Sequence, residues 1–210
     1  MAGVMALSAT TDALSAIVVH TQLEDGRKVC LRTVRPSDEA RMRRGIELLS
    51  SESRYLRFFS GAPVPPDKVI ASLVEVDGHR HLAWGAILSD DPAHPAVGAV
   101  HAVRNNPASN SAEFAVGILD AFHGLGLARM LTAVLLVQCR SEGIDRMDVQ
   151  ILSENYAAAS LVRSLGAEKC GSEQGVSNYV LHTQVALGKL QHNSGPAGIA
   201  AVFTAFADYI

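Results

Sequence analysis

The sequence predicts a mixed α/β (α+β) domain in which an antiparallel sheet is joined to a single parallel pair. Three observations carry this. Apolar runs at His81 to Leu88, Ala96 to Arg104 and Ala112 to Leu119 are separated by polar turns, Ser89-Asp90-Asp91-Pro92 and Asn105-Asn106-Pro107, as in a meander. Beyond them the apolar period changes. Leu127, Met130, Leu131, Val134 and Leu135 recur at helical spacing, and Gly143 supplies a stop. A strand from Arg146 to Leu152 follows, and strand, helix, strand in that order is a right-handed crossover between parallel strands.

The other elements follow in chain order. Ile17 to Thr21 and Lys28 to Val34 flank Glu24-Asp25-Gly26, an Asp-Gly turn signal, and read as a hairpin. Pro36-Ser37-Asp38 opens a helix running to about Leu49, with Ser37 as the expected N-cap. A second helical stretch covers Ser53 to Phe59, Pro63, Pro65 and Pro66 break the chain, and Asp67 to Val76 is a short helix. After the crossover, Asn155 to Leu165 is a helix whose Ala158, Leu161, Val162 and Leu165 form an inner face, ended by Gly166. Two last strands are expected near Ala167 to Cys170 and Ser177 to Gln184. Residues 1–15 read as a flexible N-terminal tail, 16–184 as the domain and 185–210 as a C-terminal extension. In that extension Asn193-Ser194-Gly195-Pro196 reads as a linker. Ile199 to Tyr209 is apolar enough to dock, either on its own domain or on a second copy in a homodimer.

Composition narrows the function classes. The chain has 210 residues, 48% hydrophobic and 19% charged, which suits one domain with a full core. A net charge of -3 gives no electrostatic case for nucleic acid. Cys30, Cys139 and Cys170 are widely spaced and form no CxxC pair, so neither a disulfide framework nor a metal site is indicated; free thiols suit the cytoplasm. His79 and His81 beside Gly78 read as a loop rather than a metal site, and Trp84 and Phe114 as core. The N-terminus does not read as a signal peptide, because no Lys or Arg precedes Arg27. No run approaches the ~18 apolar residues of a membrane span.

His123-Gly124-Leu125-Gly126-Leu127-Ala128 is the most informative stretch. A strand feeds a glycine-bearing turn at a helix start. The first N–H groups of a helix have no internal partner, and the positive end of the macrodipole lies behind them. Glycines let a ligand approach that backbone closely, so the turn predicts a phosphorylated ligand. A dinucleotide fingerprint is disfavoured: Arg129 stands where a third glycine should permit tight packing, and the turn follows an antiparallel meander. No Gly-Lys-Ser/Thr follows, which excludes a Walker A loop.

Three motifs in order resemble the GNAT family of N-acetyltransferases, over residues 29 to about 184. Its pyrophosphate turn reads Gln/Arg-x-x-Gly-x-Gly/Ala, and this chain has His123-x-x-Gly126-x-Ala128, departing at the first position. Its helix-opening Asn stands here as Glu154-Asn155, leading to Leu165-Gly166-Ala167. Leu49-Ser50-Ser51-Glu52-Ser53-Arg54-Tyr55-Leu56-Arg57-Phe58-Phe59 resembles a stretch of the bacterial protein lysine acetyltransferase branch.

The resemblance implies a mostly antiparallel sheet of six to seven strands with one splayed parallel pair and helices on both faces. Acetyl-CoA would lie where Ala112 to Leu119 and Arg146 to Leu152 part. Backbone groups of Val116 and Ile118 would pair with the pantetheine arm, and an N–H near Ile118 would polarise the thioester carbonyl. His123, Gly124, Leu125, Gly126, Leu127, Ala128 and Arg129 would surround the pyrophosphate, and Asn155 would flank it. His123 either donates to a phosphate or caps the helix; Arg129 pairs with phosphate or faces solvent. Arg54 and Tyr55 lie where the family shapes its acceptor entrance. Glu113, ten residues before His123, occupies the place of the branch's general base, which neutralises the acceptor amine. Val162 stands where many members carry a tyrosine general acid, and Tyr156 does not match that position. The function expected is acetyl transfer from acetyl-CoA to an amine, foremost a protein lysine. A small amine acceptor is the second reading, and a non-catalytic acyl-CoA-binding regulatory domain the third.

Overall fold

The computed structural model describes residues 13–192 and 197–210; most of the expected tail and the linker at Asn193 to Pro196 lie outside them. The strands are β1 (Val19–Gln22), β2 (Lys28–Thr33), β3 (His81–Leu88), β4 (Ala96–Arg104), β5 (Ser111–Ile118), β6 (Arg146–Leu152), β7 (Glu168–Glu173) and β8 (Val176–His182). They form one sheet in the order β1-β2-β3-β4-β5-β6-β8-β7. Every neighbouring pair is antiparallel except β5 and β6. The sheet has 8 strands, as read along the chain, against the six to seven that the resemblance implies. Its edges are four-residue β1, which pairs only with β2, and β7, which pairs only with β8 through a tight turn. That turn, Gln174-Gly175, has positive φ at both residues, 48° and 81°, as a two-residue hairpin requires.

The helices are α1 (Glu39–Leu48), α2 (Ser51–Phe58), α3 (Asp67–Val74), α4 (Leu127–Ser141), α5 (Tyr156–Ser164), α6 (Thr183–His192) and α7 (Ala197–Ala205). Two consecutive residues of β3 show the layering, since strand side chains alternate faces. Trp84 is fully buried and donates Nε1–H to Gln138 Oε1 on α4 at 2.7 Å. Ala83 packs the other way, in a cluster with Val34, Val74 and Met42 beneath α1 and α3. Phe114 is buried in the main core, on the same side as Trp84.

Two local expectations need correction. Ser37 does not cap α1: Pro36–Asp38 is a 3-10 turn, and Asp38 accepts the Arg35 N–H at 2.9 Å. The last strand stops at His182, not Gln184. There the Thr183 N–H donates to the Asp145 carbonyl (2.9 Å) and its hydroxyl to the Ile144 carbonyl (2.7 Å), which turns the chain into α6. Ala186, Leu187 and Leu190 of α6 are buried against α4.

The C-terminal segment packs on its own domain. Ile199, Val202 and Phe206 are buried in the main core, and the Phe206 ring meets Trp84 edge-on at 5.6 Å. Arg140 ties the end down by donating to the Tyr209 carbonyl at 3.0 Å. The apolar surface invoked for a second copy is therefore spent inside the chain. At the other end Leu14 is fully buried, which ties residues just before β1 into the same core. Among the described residues no helix is long and apolar enough to cross a membrane.

Candidate active site

The site begins where β5 and β6 part. They pair only at Ser111–Arg146, Ala112–Met147 and Glu113–Asp148. Beyond Glu113 the two strands separate, while β5 stays paired with β4 as far as Ile118. A cleft of about 870 Å³ occupies the opening. It runs from Val116, Gly117 and Ile118 on β5 to the start of α4, and Asn155, Ala158 and Leu161 close it from α5.

The backbone along this cleft is left with donors. Leu119 gives its N–H to the Val97 carbonyl at 3.0 Å. Alternate residues of a strand direct their N–H groups to opposite edges, so Val116 and Ile118 direct theirs toward the cleft. Farther along, the N–H groups of Gly124, Leu125, Gly126, Leu127 and Ala128 have no acceptor among the described residues. Gly124 and Gly126 stand at φ 73° and 82°, which turns this run of amides into one concavity at the N-terminus of a fifteen-residue helix. The first N–H groups of a helix have no internal partner, and a concave row of them backed by the helix dipole suits an anionic ligand.

The expected site residues divide under this geometry. Val116, Ile118, His123, Gly124, Gly126, Leu127, Ala128, Arg129 and Asn155 all line the cleft. Leu125 does not: its side chain packs on the core, and its carbonyl accepts from Glu24 at 3.3 Å. Leu127 contributes backbone alone, because its side chain is buried. His123 neither offers Nε2 to a phosphate nor caps α4. Its Nε2 lies 2.9 Å from the Ile118 carbonyl, and since a carbonyl only accepts, Nε2 carries the proton and donates. That bond occupies the Ile118 carbonyl and leaves the Ile118 N–H as the open half of the rung. Arg129 donates to the Ser164 hydroxyl at 2.8 Å, locking the start of α4 to the end of α5, a use neither phosphate nor solvent anticipated. Asn155 caps α5 through its side-chain oxygen, which accepts from Ala158 at 3.0 Å; its amide N–H groups remain available to the cleft.

Glu113 lies outside the cleft wall. It is exposed at the last paired rung, and its cross-strand neighbours are Val103 and Asp148. Three residues of strand, about 10 Å, separate it from Val116. Val162 is buried in the core and Tyr156 is mostly exposed, so neither supplies a proton at the cleft.

Three residues of the site carried no assigned role in the sequence reading. Asp120, just past β5, accepts from the Ser50 N–H (3.0 Å), the Ser50 hydroxyl (2.7 Å) and the Ser53 hydroxyl (2.8 Å). Partial burial opposes its charge, but these donors outweigh burial and lower the carboxyl to about 2. The Leu49 to Phe59 motif thus folds as α2 clamped onto the end of β5. Arg57 of that motif lies across Gly117, where a Cβ would stand 3.6 Å from its Cδ. Burial lowers the Arg57 guanidinium below its ordinary value, and the nearby Glu113 charge works against that shift. His101 shares a rung with Ala83 and Ala115, is buried, and sits 3.0 Å from His81. His81 Nδ1 donates to the Glu75 carbonyl at 3.0 Å, so in neutral His81 Nε2 accepts from His101 Nδ1–H. Burial keeps both rings neutral by lowering their pKa values, with Arg57 adding to the effect at His101. His81 therefore opens β3 as part of a hydrogen-bonded pair rather than a free loop. Arg54 has a structural partner, the Ile46 carbonyl at 3.4 Å, and Tyr55 is exposed beside it.

Comparison with known proteins agrees with this geometry. Residues 28–168 match the family model described as acetyltransferase (GNAT) domain. The chain is 28% identical over 158 residues to acetyltransferase Pat of Mycolicibacterium smegmatis, spanning 75% of this chain and 46% of that protein. It is 29% identical over 144 residues to acetyltransferase PA5475 of Pseudomonas aeruginosa, spanning 69% of this chain and 77% of that one. The chain thus spans about half the length of the first relative and about three quarters of the second. Among solved structures, the GNAT domain of S. lividans PAT superposes with a TM-score of 0.72 at 24% identity, covering 79% of this chain and 96% of that one. An open sheet parting at its single parallel pair, an amide-lined turn at the start of α4 and a family match across both place the chain in the GNAT acetyltransferase family.

Proposed function

We propose that the protein transfers an acetyl group from acetyl-CoA to the side-chain amine of a protein lysine. The single observation that carries the reading is the continuity of the cleft: one groove joins the open N–H groups of Val116 and Ile118 to the unpaired amides of Gly124 to Ala128. A ligand with a peptide-like arm and a pyrophosphate uses both ends, and the pantetheine and diphosphate of CoA have that form. On this reading the Ile118 N–H and its neighbour at Val116 pair with the arm and polarise the thioester carbonyl. The α4 turn holds the pyrophosphate through backbone and dipole. Asn155 adds an amide donor from the facing helix.

The transfer balances simply. The neutral amine nitrogen attacks the thioester carbonyl carbon, a C–N bond forms and the C–S bond breaks. CoA leaves as a thiolate that solvent protonates, consistent with Val162 in the place of an acid. The amine proton passes to Glu113 along a short chain of waters, because about 10 Å of strand separates Glu113 from Val116 and a single water bridges only about half of that.

The test is incubation of the purified protein with acetyl-CoA and a panel of lysine peptides, denatured proteins and small polyamines, read as free thiol and by mass spectrometry. Thiol release coupled to a 42 Da increment, that of about one acetyl group, on lysine supports the reading. Modification of polyamines alone replaces the acceptor, and CoA binding without transfer to any acceptor replaces catalysis with a binding role.

A further inference from the structure

A second cavity branches from the cleft where the thioester would sit. It measures about 80 Å³ and lies between α1 and the sheet, on the face opposite α4. Leu49, Arg57, Gly117 and Ile118 line both spaces, so the two meet beside the Ile118 rung. The volume is about five to eight times the 10–15 Å³ that one water needs by the same measure. Acetyl, with its one methyl, does not fill it.

The walls state what belongs inside. Gly85, Ala99 and Gly117 occupy one row across β3, β4 and β5, and these small residues hold the sheet away from α1. Val34, Met42, Ile46 and Leu73 supply an apolar lining from the other side. Charge at the β2 end is already neutralised. Asp38 accepts from Arg32 through both oxygens at 2.7 Å, from Arg41 at 2.6 Å and from the Arg35 N–H at 2.9 Å. A lysine ammonium would find no free carboxylate there, since Asp38 is saturated. The Arg57 guanidinium at the mouth adds a like charge against an ammonium, whereas an uncharged aliphatic chain packs on the apolar wall beyond it.

We propose that this cavity receives the acyl tail of CoA thioesters longer than acetyl, about three to five carbons, so that the enzyme transfers short-chain acyl groups as well as acetyl. The inference rests on the CoA reading of the cleft. The bonds made and broken are those of acetyl transfer, and only the tail beyond the carbonyl differs.

The experiment is calorimetric titration of the full chain with CoA, acetyl-CoA, propionyl-CoA and butyryl-CoA, which needs no acceptor. Each buried methylene contributes about 0.8 kcal/mol, a factor of about four, so propionyl-CoA is expected to bind about fourfold and butyryl-CoA about fifteenfold tighter than acetyl-CoA. Ala99→Leu fills the cavity and should erase this gain, lowering the butyryl-to-acetyl affinity ratio toward one. The wild-type series stands alone if that variant does not fold. Equal or weaker binding of the longer esters, with acetyl-CoA bound, overturns the inference and leaves the CoA reading intact. Binding of no ester, CoA included, overturns both.

Discussion

Replacing Glu113 by glutamine is expected to lower kcat at pH 7 by about 10²- to 10⁴-fold, the usual worth of a general base. The loss should shrink as pH rises, and the sign follows from the acceptor. A lysine amine with a pKa near 10.4 is almost wholly protonated at pH 7, and neutralising it costs about 4.6 kcal/mol. A base is needed most where that cost is largest. Above about pH 10 the amine supplies its own lone pair and the two enzymes converge. Glutamine is isosteric and Glu113 is exposed, so the fold is not at risk. A pH–rate profile of both proteins checks this, and an equal loss at every pH assigns Glu113 a role other than proton removal.

The second large effect is expected at the α4 turn. Gly126 is the N-cap of α4 at φ 82°. Aspartate tolerates that left-handed conformation better than most residues, so Gly126→Asp should fold. It places a carboxylate where the pyrophosphate is proposed to sit. Like charges about 4 Å apart near a protein surface repel by up to about 4 kcal/mol before screening. CoA affinity should therefore fall at least about 100-fold while the unfolding midpoint changes little. Titration of CoA alongside a thermal melt separates the two effects. Retained affinity would move the pyrophosphate off this turn.

Much of this was legible in the chain because it depends on short-range pattern. The meander, the crossover and the glycine turn each announce themselves within about ten residues: alternation at Ala112 to Ile118, glycines at Gly124 and Gly126, a helical stripe from Leu127. Asn155 was readable as an N-cap for the same reason. What escaped depends on partners that the sequence separates. Asp120 is unremarkable until α2 folds back and brings Ser50 and Ser53 to it from about seventy residues away. For His123 the chain offered a phosphate or the helix end as partner, yet its bond to the Ile118 carbonyl depends on how the 3-10 turn at Asp120–Phe122 folds the chain back on β5. His101 meets His81 only through the β3–β4 register, which puts His81 opposite Val103, two residues along the strand from His101. The C-terminal segment showed its apolarity but not its partner; only the fold places Phe206 on Trp84.

His123 also shows how a departure from a family pattern can be structural. By taking the Ile118 carbonyl it holds the end of β5 to the turn before α4 and fixes the angle between the two donor sets. Arg129 does the same across the cleft, from α4 to Ser164. The groove is braced at both ends by side chains the chain uses on itself, so its backbone amides are preorganised rather than floppy.

On the proposed reading these backbone amides carry most of the hold on acetyl-CoA, with the Asn155 side chain beside them. Hydrogen exchange followed by mass spectrometry, with and without acetyl-CoA, measures them directly. Added acetyl-CoA is expected to slow exchange in peptides covering Val116 to Ile118 and Gly124 to Ala128, with β1, β2 and α7 unchanged. Protection confined to other segments, or no change at saturating acetyl-CoA, contradicts that reading.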